Sequence, residues 1–133
     1  MMPFLKLYGI AFVLFLVIDL VWLGLIARNL YQKYIGHLMA DSVNWIAALV
    51  FYFLFIGFLV YFVLLPNINT GTLLQVMLTG ALFGFITYAT YDLTNLATLK
   101  DWPWQITIID LLWGTFLGSS ISTLTFIIYR AIS

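Results

Sequence analysis

Three aspartates stand inside apolar stretches of the chain. Asp19 lies in IDLVW (Ile18–Trp22), Asp92 in YDLTN (Tyr91–Asn95) and Asp110 in IDLLW (Ile109–Trp113). A carboxylate among apolar residues can take up a proton, hold a cation through its oxygens, bind a cationic ligand or act as a general acid or base. Each aspartate is followed three residues on by a potential donor: Trp22, Asn95 and Trp113. Indole N–H is a donor only, and an Asn side chain can donate. These three are therefore suited to donate to a carboxylate of the group, not necessarily their own. Tyr88 and Tyr91 belong to the same candidate site, because Gly84, Tyr88, Tyr91, Asp92 and Asn95 fall within about a quarter turn of a helix.

The elements that must position these residues are membrane spans. The 133 residues are 65% hydrophobic, 19% aromatic and 8% charged, and the mean hydropathy is +1.12. Soluble domains carry about 25% charged residues. A soluble chain of this composition would expose large apolar patches. With no cysteine, thiol redox chemistry and zinc–sulfur sites are excluded. Net charge is zero and no Lys/Arg run occurs, which argues against a nucleic-acid partner and against a polybasic lipid patch. A haem is not expected, since the single histidine, His37, falls outside the spans. No cofactor is implied.

About 20 apolar residues cross the hydrocarbon core. Four segments qualify, at about 4–26, 43–65, 73–99 and 103–129, giving an all-α four-helix transmembrane bundle with one domain over 1–133. The first segment is read as a retained span rather than a signal peptide, because its apolar run is long, contains Asp19 and lacks a small-residue cleavage pattern. Asp41-Ser42 offers an N-cap for the second span and Pro66 its stop; Asp101-Trp102-Pro103 forms a start signal for the fourth. Between spans one and two, Leu30, Tyr31, Tyr34, Ile35, Leu38 and Met39 recur at helical spacing. They predict a short interfacial helix, with a plain extension of the first span as the alternative. Trp102 and Trp104 are expected in the interfacial aromatic belt.

Depth links the three aspartates. Asp19 lies seven residues before Ile26, Asp92 seven before Leu99 and Asp110 seven after Pro103. At 1.5 Å per residue all three sit roughly 10 Å inside the same membrane face. Because the first helix approaches that face and the fourth leaves it, IDLVW and IDLLW do not form a simple duplication. Gly80/Gly84 and Gly114/Gly118, with Ser122 extending the second row, are small-residue rows that let helices pack closely. Arg28 and Lys100 lie on the side of the carboxylates and are the candidate pairing partners that would make the layer a structural lock. Otherwise, crowded acids in low dielectric call for a shared proton or a bound cation.

The stretch Gly80–Gly114, GALFGFITYATYDLTNLATLKDWPWQITIIDLLWG, carries the motifs Y-x-T-Y-D-L-T-N-x-A-T-L, W-P and D-x-x-W-G. With the first-span D-x-x-W-L-G and Tyr52, Gly57 and Pro66, the whole chain resembles a family of small bacterial four-span membrane proteins of undefined function. That resemblance implies a multi-pass protein of the bacterial inner membrane and supplies no activity. Three functions remain open. The first is a transport or binding bundle in which Asp19, Asp92 and Asp110 take a proton, a small cation or a cationic ligand such as a lipid headgroup; four spans are few, so a homodimer is expected. The second is a structural or accessory subunit. The third is a metal-assisted enzyme acting on membrane lipid, with Asn95 beside the carboxylates around Mg²⁺ or Ca²⁺. Tyr91-Asp92 resembles the Y-D half of intramembrane aspartyl proteases, but their G-x-G-D partner is absent, and no nucleophile–base constellation is evident.

Overall fold

The computed structural model describes residues 2–40 and 42–132. Helix α1 spans Met2–Val21 and passes through a π-helical segment, Trp22–Ala27, into α2, Arg28–Ile35, and a 3-10 turn, Gly36–Leu38. Helix α3 spans Trp45–Leu59 and continues through a second π-helical segment, Val60–Leu64, into a 3-10 turn, Leu65–Asn67. Helix α4 spans Leu73–Thr98 and α5 spans Trp104–Ile132. No strand occurs among the described residues. The four runs, Met2–Leu38, Trp45–Asn67, Leu73–Thr98 and Trp104–Ile132, are each long and apolar enough to cross a membrane. The protein is an all-α, multi-pass membrane bundle.

Local chemistry explains the ends. Thr72 and Gln75 form a reciprocal capping box at the start of α4: Gln75 N–H donates to Thr72 Oγ1 at 3.2 Å and Thr72 N–H to Gln75 Oε1 at 2.9 Å. Pro66 sits in the 3-10 turn that closes the second run, where its missing N–H ends the hydrogen-bond ladder. Two expected caps differ. Asn44, rather than Ser42, caps α3 by accepting from Ala47 N–H at 3.2 Å; Asp41 lies outside the described residues. Asp101 adopts a left-handed backbone, φ 63°, in the turn after α4, and α5 begins three residues later at Trp104. Short polar Asp tolerates that conformation better than most residues, so it serves the turn instead of the helix start. Helix α2 continues α1 through the π-helical segment in one run, Met2–Leu38, which is the extension of the first span rather than a separate interfacial helix.

The longest packing interface is between α4 and α5, and glycines make it. A Cβ on Gly84 would land on the carbonyl oxygen of Gly114, one on Gly118 on the carbonyl of Gly80, and one on Gly80 on Ser122 and the Gly118 carbonyl. The two small-residue rows thus interdigitate backbone against backbone. A dry core fills the half of the bundle nearer the start of α1: Leu7, Ala11 and Phe15 meet Ile56, Leu59, Val63, Leu117 and Ile121. At the other half α3 is less covered: its first buried residue is Phe55. Outward-facing apolar side chains such as Ile46 (78% exposed) and Leu112 (68% exposed) suit lipid rather than water.

Candidate functional site

The α4–α5 seam sets two carboxyls against each other. Asp92 on α4 is fully buried and Asp110 on α5 is 6% exposed. Neither Asp92 oxygen meets an N–H or O–H donor. What faces it is the Asp110 carboxyl, within hydrogen-bonding reach. A carboxyl–carboxyl hydrogen bond needs a proton on one of the two partners. Asp110 has a second neighbour: Tyr31 Oη donates to Asp110 Oδ1 at 2.5 Å. Tyr31 Oη in turn accepts from Trp22 Nε1 at 3.4 Å. A chain of polar groups therefore runs Trp22–Tyr31–Asp110–Asp92 from the π-helical segment to α4. Alongside, Thr107 Oγ1 donates to the Asp92 carbonyl at 3.5 Å and accepts from Trp102 Nε1 at 3.1 Å.

Asp19 sits apart from that pair. It is half-buried on α1 and accepts from Tyr52 Oη at 3.4 Å. It lines a cleft of about 270 Å³ with Trp22, Tyr31, Tyr52, Tyr88 and Trp113. Asp110 lines a different cleft of about 410 Å³ with Tyr31, Tyr88, Tyr91 and Trp102. Tyr31 and Tyr88 belong to both linings and form the partition between them.

The layer expected from depth counting is thus divided. Among the described residues no three carboxylate or imidazole groups converge as a metal-binding set. Neither Arg28 nor Lys100 stands among the groups acting on Asp19, Asp92 or Asp110; the polar contacts of the three come from tyrosine hydroxyls and from one another. Long, flexible basic side chains at the rim do not reach a carboxyl that aromatic rings already cover. Of the three expected donors, Trp22 reaches Asp110 only through Tyr31. Trp113 instead stacks face to face on Trp22, centroids 4.3 Å apart and planes 8° apart. Asn95 turns toward the Tyr91 hydroxyl. Trp102, expected at the interface, is 9% exposed and packs edge-on against Tyr91, while Trp104 is 59% exposed.

Tyr31 is the site residue that spacing did not mark. Nine residues from Trp22 correspond to about 180° at 100° per residue, the opposite face of an α-helix. The π-helical segment Trp22–Ala27 bonds i to i+5 and so takes more residues per turn, which rotates Tyr31 toward Trp22. The hydrogen bond of Tyr52 to Asp19 likewise required the fold.

A family model described as "Predicted membrane protein (DUF2177)" matches residues 4–127. No curated protein and no solved structure matches the chain.

Proposed function

The chain belongs to the DUF2177 family of predicted membrane proteins, and from that footing we propose that it is a small binding or transport bundle of the bacterial inner membrane. In it the Asp92–Asp110 pair takes up a proton or a small cation. The observation that carries this reading is the orphaned Asp92 carboxyl, fully buried and facing only another acid. Two ionised carboxylates in that position would be unpaired charges in low dielectric and would repel. One proton or one cation between them removes both penalties. Tyr31 fixes the outer oxygen of Asp110 by donating to it, which leaves the remaining oxygens of the pair to hold what is bound. Since Asp110 already lines the larger cleft and Tyr31 lines both, movement of this one side chain would open Asp110 to the Asp19 cleft as well. Four helices are few for a complete pathway, so the working unit in this reading is a homodimer.

The test is proton or cation flux in proteoliposomes. Asp92→Asn and Asp110→Asn should each abolish it. If these two and Asp19→Asn all transport like the unaltered protein, the reading fails.

One observation favours a structural role instead: Asp92 lines neither cleft. In an accessory subunit whose buried acids only fix helix register, the Asn variants would lower stability and leave flux, if any, untouched.

A further inference from the structure

Asp19 has surroundings unlike those of the other two acids. Its oxygens meet one hydroxyl, Tyr52 Oη at 3.4 Å, and otherwise face a cleft walled mostly by rings, with Leu23 and Ala48 completing it. Trp22 and Trp113 form one stacked slab, and Tyr31, Tyr52 and Tyr88 form the other sides. Asp19 is the sole charged residue in that lining.

We infer that the Asp19 cleft is a binding site for a small organic ammonium ion, quaternary or tertiary, held by the carboxylate and by the faces and edges of the surrounding rings. Three features select this chemistry. Aromatic rings attract a cation that carries alkyl groups, and Trp and Tyr do so most strongly. A hard metal ion needs about six oxygen ligands, and here one carboxylate is offered. A neutral apolar ligand would leave the half-buried Asp19 without compensation. The volume, about 270 Å³, lies near the lower end of the roughly 300–1,000 Å³ typical of ligand cavities, which restricts the ligand to a headgroup-sized cation. The α3 side of the cleft is formed by Ala48, Phe51 and Tyr52, none of them fully buried, so it is walled there without being sealed.

This inference deepens the binding reading by naming a ligand class, yet it concerns Asp19, across the Tyr31–Tyr88 partition from the Asp92–Asp110 pair. Its failure is therefore separable. Flux that depends on Asp92 without ammonium selectivity overturns the inference alone. Ammonium selectivity without flux overturns the transport reading alone.

The experiment is calorimetric titration of the full chain in dodecyl maltoside, a neutral detergent without ammonium groups. The probes are choline and its neutral tert-butyl analogue, in which carbon replaces the ammonium nitrogen. Choline should bind saturably, and the analogue at least about tenfold more weakly. Asp19→Asn should weaken choline by a similar factor, while Asp101→Asn, at an exposed acid outside the cleft, should bind as the unaltered protein does. The comparison of the two probes needs no variant, so it stands even if Asp19→Asn does not fold. A short-chain phosphatidylcholine added to the choline complex separates two sources of the same chemistry. Displacement identifies a lipid headgroup as the occupant, and persistence identifies a free solute. Equal affinity for choline and its neutral analogue, or unaltered choline binding in folded Asp19→Asn, would overturn the assignment.

Discussion

The α4–α5 seam and the α1–α3 side are held by different forces. Along the seam, backbone meets backbone, and Gly84 and Gly118 leave no room for a methyl group. On the α1–α3 side, contact is through rings: Phe15 on Tyr52 at 4.9 Å and Phe12 on Phe53 at 5.2 Å. The consequence reaches the acids. Asp92 and Asp110 ride on the rigid seam and are pressed together. Asp19 rides on the looser side and opens on a cleft. Rigid packing thus sets the two carboxyls of the seam against each other, while looser packing leaves a cleft beside the third.

The largest effect should come from breaking the seam itself. Gly84→Leu drives a side chain into the Gly114 carbonyl and should cost about 3 kcal/mol or prevent folding, since overpacking of this kind has no flexible neighbour to yield. Gly9→Ala, with open space around the added carbon, should be neutral or gain up to about 1 kcal/mol from helix propensity. Far-ultraviolet dichroism during denaturation from detergent micelles measures both. If Gly84→Leu proves as stable as Gly9→Ala, the seam is not the rigid element.

Within the seam, Asp92→Ala should cost about 2 kcal/mol by removing a hydrogen bond to an acid, whereas Asp92→Asn, which can still donate to Asp110, should stay within about 1 kcal/mol. Equal losses for the two variants in the same denaturation assay would argue against a proton between the carboxyls. Next in size is Tyr31→Phe. The lost hydroxyl made a 2.5 Å bond to Asp110, and hydrogen bonds to charged groups contribute roughly 1.5–3 kcal/mol. A loss of about 1.5 kcal/mol is expected. Tyr52→Phe should change stability least, below about 0.5 kcal/mol, because its bond to Asp19 is 3.4 Å long and the acid is half-buried. Should Tyr52→Phe prove the costlier of the two tyrosine variants, the contrast between tight pair and open single acid would be reversed.

Much of the bundle was legible from residues alone. Continuous apolar runs and the Pro66 signal place the second, third and fourth spans to within a few residues, while the first helical run continues to Leu38, well past the expected end near Ile26; the glycine rows identify the seam before any contact is seen. Depth counting brought Asp92 and Asp110 to one level, since both belong to uninterrupted α-helices. It could not show that rings would partition Asp19 from them, because side-chain size does not enter a count of residues. Nor could helical periodicity find Tyr31, whose face is set by the π-helical segment after Val21. Donors were misassigned for a related reason. Trp113 gained more from stacking on Trp22 than from bonding to a carboxyl that Tyr31 already served.

Infrared difference spectroscopy of the protein in lipid at neutral pH, in ordinary and heavy water, examines the Asp92–Asp110 pair most directly. We predict a protonated-carboxyl C=O band that shifts on deuteration, disappears in Asp92→Asn and persists in Asp19→Asn. A spectrum without that band in metal-free buffer, or a band that survives in both Asp92→Asn and Asp110→Asn, would contradict a proton held between the two carboxyls.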